Sequence, residues 1–310
     1  MKETLWVEKY RPKRVQDCVL PPRLKTKFQK FIADKNVPNL LLTGRAGVGK
    51  TTVAMAMLEE MGLDYLMLNS SLYGNIDTLR TEVTQFASSV SFSGGRKYVI
   101  LDEADYLNIN STQPALRNFI ESYSTNCGFI LTCNYPNRIL PELKSRLVEV
   151  DFTPQSSEGP DLMMAFSGRS KGILDAEGVP YDKNALNEVI FKYYPDWRKT
   201  INELQFYSKN GKIDSGMLAK FQTDVSELVK IMKTMVHGDV IKWVAEHSDQ
   251  DPASLMREFY DLSRELYVKD SVPMLILLIS KYQERSAHVA DQEINTAAFL
   301  TECMMELSFK

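Results

Sequence analysis

The stretch Gly44-Arg45-Ala46-Gly47-Val48-Gly49-Lys50-Thr51 constrains this chain more than any other. It fits the pattern G-x-x-x-x-G-K-S/T, follows the apolar run Asn39-Leu40-Leu41-Leu42-Thr43 and opens a helical periodicity from Lys50 to Met61. In a strand–loop–helix setting, such glycines let backbone N–H groups curl around phosphate oxygens without Cβ clashes. The helix start offers the anion unpaired amides and a positive dipole end. In that role the cradle spans Gly47, Val48, Gly49 and Thr52, Lys50 neutralises the β- and γ-phosphates, and Thr51 offers its hydroxyl oxygen to Mg²⁺. The expectation is a nucleoside triphosphate site in an α/β domain.

The surrounding pattern agrees. Further apolar runs at Tyr65–Leu68, Tyr98–Leu101, Phe129–Thr132 and Val148–Phe152 alternate with amphipathic stretches at Ile76–Ser89 and Gln113–Tyr123. Five strands apolar on both faces and separated by helices predict a parallel sheet covered on each side. Near Pro154 the pattern changes. The turn-rich Pro154–Pro160 reads as a linker, and beyond it only helical periodicities follow, at about 161–177, 183–194, 197–209 and from 214 onward. This divides the chain into an α/β domain over 1–153, a small helical domain over 154–212 and a second helical domain over 213–310.

The third apolar run ends in Asp102-Glu103-Ala104-Asp105. Ligands of open α/β sheets sit at that strand end. A first carboxylate that holds Mg²⁺ and a second that polarises water are what triphosphate hydrolysis requires, so Asp102 is the metal candidate and Glu103 the water activator.

Composition removes several other classes. A 44% hydrophobic and 25% charged chain is neither disordered nor fibrous. Cys18, Cys127, Cys133 and Cys303 are scattered without a C-x-x-C pair, which points to reduced structural thiols and a cytoplasm-like compartment. The longest apolar run, Met274–Ile279, falls far short of the ~18 residues of a membrane span, so no membrane partner is expected. A net charge of −3 carries no global polyanion signal. The distribution is uneven, however: residues 1–38 sum to +6 and residues 213–310 to −6, which suggests different partners at the two ends.

Together these pieces resemble the clamp-loader ATPases of the AAA+ class. Glu8-Lys9-Tyr10-Arg11-Pro12 is similar to that family's N-terminal motif against the adenine, and Thr132-Cys133-Asn134 to its first sensor. Ser145-Arg146 resembles its Ser-Arg-Cys, with Leu147 in place of the Cys, and Pro195-Asp196-Trp197-Arg198-Lys199 resembles its second sensor. The likeness covers the first ~210 residues. The compact length, the absence of the family's metal-binding cysteines and phrases such as Phe86-Ala87-Ser88 and Tyr207-Ser208 resemble the large subunit from large tailed bacteriophages.

The resemblance implies a five-stranded P-loop AAA+ domain, a helical lid and an all-α collar. It implies ATP and Mg²⁺ as cofactors, with Val7, Glu8, Lys9, Tyr10 and Val19 around the base, Asn134 near the γ-phosphate and Arg198 reaching ATP from the lid. Arg146 would reach into a neighbouring subunit's site, and Asn69 would hold Glu103 away from its working position until DNA binds. Arg80 and Arg117 resemble positions facing DNA in a central chamber, and Arg117 is alternatively a coupler between DNA and the catalytic site. Exposed helical arginines are otherwise simply solvated, and Phe86 and Phe92 are either core residues or clamp contacts. The implied partners are a small clamp-loader subunit, further copies of the chain in a five-subunit ring, a sliding clamp and primer–template DNA, in the host bacterial cytoplasm if the chain is phage-encoded. Two other readings fit these residues. A helicase shares the Asp-Glu-Ala-Asp tetrapeptide but needs a second α/β motor of roughly 150 residues. A nucleotide-binding scaffold without hydrolysis has no need of Lys50, Asp102, Glu103 and Arg146 together.

Overall fold

The computed structural model of the chain describes residues 5–72, 76–91, 95–209, 211–214, 227–247, 252–286, 289 and 291–310. Five strands, β1 (Leu40–Thr43), β2 (Tyr65–Asn69), β3 (Lys97–Asp102), β4 (Cys127–Cys133) and β5 (Val148–Asp151), form one parallel sheet in the order β2-β3-β4-β1-β5. Side chains alternate across it, as the pleat demands. Leu40, Leu42, Ile100 and Ile130 pack with Phe28, Val53 and Met57 on one face. Leu41, Val99, Leu101, Phe129 and Leu131 pack with Leu79, Val83, Leu116 and Ile120 on the other. The first face is covered by helices α2 (Pro22–Ala33) and α3 (Lys50–Glu60), and the second by α4 (Ile76–Ser88) and α5 (Thr112–Ser122).

The expectation of strands apolar on both faces holds for the interior strands β1, β3 and β4 and fails at the edges. Met67 of β2 is 38% exposed and Val148 of β5 is 41% exposed. An edge strand has one neighbour, and the helices cover it incompletely, so its hydrophobic run does not report full burial.

The chain divides into two compact units, Met1–Asp214 and Ser215–Lys310. Within the first, α7 (Gly159–Ala176), α8 (Lys183–Tyr193) and α9 (Trp197–Ser208) follow the sheet. The last two residues of the expected linker belong to α7, because Pro160 sits in the first turn, where its missing N–H costs nothing and its φ is already helical. Asp182 caps α8 by accepting from the amides of Asn184 and Ala185, and Asp196 caps α9 by accepting from that of Lys199. Phe166 of α7 stacks on Trp197 of α9 at 4.2 Å between ring centroids.

The second unit is helical among its described residues, apart from an isolated bridge between Tyr267 and Phe309. Its helices at His237–Glu246, Pro252–Asp261, Val272–Ser286 and Gln292–Glu306 close over Trp243, Phe259, Tyr267, Leu275 and Phe299. Among the described residues no helix is long and apolar enough to cross a membrane. All four cysteines are buried and unbridged; burial raises the Cys18 and Cys133 thiols to about 12 and that of Cys127 to about 11.

Candidate nucleotide site

Because every strand is parallel, β1, β3 and β4 deliver their C-terminal ends to one edge of the sheet. From β1 the chain turns through Gly44, Gly47 and Gly49, all with positive φ, and enters α3 with no side chain capping its first amides. Those amides are the unpaired donors of a helix start, left free for an anion. Lys50, 7% exposed, donates its ammonium protons to the carbonyls of Gly44 (2.7 Å) and Arg45 (2.8 Å) and to Oδ1 of Asn134 (2.8 Å). Burial pushes its pKa below the ordinary lysine value, Asp102 and Asp105 pull it back up, and Arg198 adds to the depression.

At the end of β3, Oδ1 of Asp102 accepts from the hydroxyls of Thr51 and Thr132, each at 2.6 Å. Glu103 then adopts a left-handed backbone (φ 57°), which turns the chain off the strand, and its amide donates to Thr132 Oγ1 at 3.1 Å. Thr132 thus fixes both acidic residues, although its run read only as strand and first sensor. The register of β3 on β4, with Leu101 opposite Leu131, brings it beside Asp102. Asp105 is buried; its Oδ1 accepts from the amide of Asn134 at 3.3 Å.

Lys50, Thr51, Asp102, Glu103, Thr132 and Asn134 line an open cleft of about 990 Å³, solvent-open side included. Val7, Tyr10 and Val19 reach it from the N-terminal strap; Gly47, Gly49, Lys50, Thr51 and Thr52 from the loop and α3; Asp102, Glu103 and Asn134 from the strand ends; and Phe166, Arg169, Trp197, Arg198 and Ile201 from the following helices. Segments some 190 residues apart in sequence, Val7 and Arg198, meet here. Helix α9 and the loop touch directly: the amide of Trp197 donates to the Gly47 carbonyl at 3.2 Å. At Gly47 a Cβ would fall 1.8 Å from Asp196 Oδ1, on a backbone with φ +76°. Gly47→Ala should therefore displace the cap of α9 and lose about 1–3 kcal/mol of stability. Chemical denaturation measures the loss, and a variant as stable as the parent would show that the close approach is not rigid.

Several expected residues lie elsewhere. Glu8 and Lys9 do not line the cleft: on the single turn α1 (Trp6–Lys9), Val7 reaches it and Trp6 is buried in the protein, while Glu8 pairs with Arg11 and Lys9 with Glu177. The Val48 side chain is buried in the core beneath the loop, which leaves its backbone to the cradle. Asn69 does not bond Glu103; its Oδ1 accepts from the amide and hydroxyl of Ser71, because the chain turns sharply at the end of β2. Arg80 is exposed beside the Phe119 ring, and Arg117 is half-buried with its Nε lacking a hydrogen-bond partner among the described residues. Phe86 is half-buried against the Lys97 ammonium, and Phe92 lies outside the described residues. Arg146 is not in the cleft of its own chain. It follows α6 (Pro141–Lys144) on the surface, donating to Glu121 (2.6 Å) and to the Glu142 carbonyl (2.6 Å).

Fold and site together define an ATPase of the AAA+ class. Residues 40–154 match the family described as ATPases associated with various cellular activities, and residues 161–219 match the AAA+ ATPase lid domain of the sliding-clamp-loader large subunit. The sliding-clamp-loader large subunit of Enterobacteria phage T4 is 29% identical over 100% of this chain and 98% of its own length. That of Escherichia phage RB69 is 32% identical over 77% and 75%, and the replication factor C small subunit of Saccharolobus solfataricus is 31% identical over 97% and 94%. The chain belongs to the clamp-loader ATPase family. Among solved structures, the RuvB Holliday junction branch migration motor of Thermotoga maritima aligns at TM-score 0.53 and 16% identity, over 73% of this chain and 79% of that one, a likeness of fold alone.

Proposed function

We propose that the chain is the ATP-hydrolysing motor subunit that opens a sliding clamp and loads it on primer–template DNA. The observation that carries this reading is the convergence of strap, phosphate loop, acidic strand end and lid arginine on one cleft, with Arg146 outside it. The base lies between Val7, Tyr10 and Val19, the triphosphate lies on Gly47–Thr52, and Arg198 contacts it from the lid. Lys50 and Asn134, already joined at 2.8 Å, hold the γ-phosphate, and Glu103 orients and deprotonates the attacking water. The hard oxygens of Thr51 and Asp102, 2.6 Å apart, suit Mg²⁺, and Thr132 keeps that carboxylate oriented. When bound, the ion supplies charge neutralisation for the phosphates.

Arg146 serves a neighbour's cleft, so hydrolysis waits for assembly with further copies of the chain and a small subunit in a five-membered ring. Residues 154–212 act as the lid and 213–310 as the collar, whose acidic charge keeps it from competing for DNA. Arg80 and Arg117 contact the DNA backbone, which asks for charge rather than sequence. A helicase would need a second α/β motor, and the second unit is helical among its described residues.

The test is steady-state ATPase activity of the reconstituted assembly. Turnover should rise strongly only when clamp, small subunit and primed DNA are all present. Duplex unwinding, or turnover indifferent to clamp and DNA, would overturn the assignment.

A further inference from the structure

Arg169 is a cationic side chain of the cleft wall with no place in the phosphate chemistry. It projects from the middle of α7, half-buried, and no carboxylate lies within ion-pair distance of it among the described residues. Its guanidinium donates through Nη1 to the carbonyl of Asp17 at 3.1 Å and through Nη2 to the carbonyl of Tyr10. One planar fork therefore closes a loop of the strap whose two ends, Tyr10 and the Cys18–Val19 pair, form cleft wall. The geometry of a guanidinium suits this, because it holds two acceptors in fixed directions, which an ammonium cannot.

The strap has other anchors. On the helical side, the amide of Trp6 donates to Gln205 Oε1 (2.9 Å), and Glu177 accepts from Lys9 (2.7 Å) and from the Tyr10 hydroxyl (2.6 Å). On the sheet side, the amide of Val15 donates to Glu60 Oε2 at 2.9 Å. Of the helical-side anchors, only Arg169 lines the cleft. In the Lys9–Glu177 pair the lysine is exposed and the glutamate half-buried, so solvent screens part of its contribution. None of Arg169's hydrogen bonds reaches the phosphate loop.

We propose that Arg169 is a positioning residue for the nucleoside end of the ligand: by fixing the carbonyls of Tyr10 and Asp17 it shapes the wall on which the base rests, and so ties base binding to α7 of the lid. This rests on the reading of the cleft as a nucleotide site. It predicts a split between two ligands that share phosphates but not a base. The full chain is titrated with ATP and with inorganic tripolyphosphate, each in Mg²⁺ and in competition with a fluorescent ATP analogue. Arg169→Met, which keeps the bulk but removes the donors, should weaken ATP about tenfold to a hundredfold and leave tripolyphosphate unchanged. Arg169→Lys, which keeps the charge but not the fork, should fall between parent and Met variant for ATP and match both for tripolyphosphate.

An equal loss for both ligands would mean a merely structural role and would overturn the proposal. So would unchanged ATP affinity in both variants. Should Arg169→Met fail to fold, the Lys variant carries the same test. A parent chain that binds neither ligand would instead refute the nucleotide site itself, a result distinguishable from either outcome above.

Discussion

Lys50→Ala is expected to abolish nucleotide binding, with affinity falling at least ~100-fold, or about 2.7 kcal/mol. The ammonium is the buried cation of the phosphate loop, held at 2.7–2.8 Å by three oxygens that fix its position. Charge-assisted hydrogen bonds contribute about 1.5–3 kcal/mol each, and a triphosphate offers the ammonium more than one. Folding should hardly suffer, because burial already disfavours this charge. The variant should therefore unfold close to the parent's midpoint while losing binding to fluorescent ATP. Tight binding by a folded Lys50→Ala chain would remove the phosphate-loop role.

Arg146→Ala should do the opposite: ATP binding stays within about twofold of the parent, while turnover stimulated by clamp and DNA falls by about 10³–10⁵-fold. That factor equals about 4–7 kcal/mol of barrier. The side chain is absent from its own cleft, so deleting it removes no contact with the nucleotide held there. Its pairing with Glu121 is at the surface, where an ion pair contributes little, so releasing the guanidinium toward a neighbouring phosphate is cheap. In the transition state the charge spreads over the γ-phosphoryl oxygens, and an arginine delivered from outside stabilises it there. Rapid turnover by an assembly made wholly of the variant would exclude a role for this arginine in trans.

The legible and the illegible parts of the site differ in kind. That Gly44–Thr51 and Asp102–Glu103 come to one cleft could be read because each is a short segment whose conformation is set locally. A glycine bend opens a helix in one, and in the other carboxylates follow an apolar strand. The strap was legible only coarsely: its motif marks a stretch that reaches the cleft, yet one helical turn decides which of its side chains do, and Glu8 and Lys9 pair with Arg11 and Glu177 outside it. Where the Asn69 side chain goes was not legible, because a local Asx turn with Ser71 engages it. The sensor-like run marked the neighbourhood of Thr132 but not its bond to Asp102, and Arg169 gave no signal, since an arginine in a helix is an ordinary residue.

By itself the sequence determined the α/β class, the five strands, the helical remainder and the glycine loop that opens α3. These follow from period-2 and period-3.6 patterning and from what glycine alone can do with a backbone, all of it local in the chain. Only the tertiary structure decided that β1 lies between β4 and β5, that Thr132 sits beside Asp102, that Asp196 fills the space a Cβ on Gly47 would need, and that Arg169 gathers Tyr10 and Asp17. Those relations depend on strand order and on how helices pack, and they join residues that periodicity along the chain cannot relate.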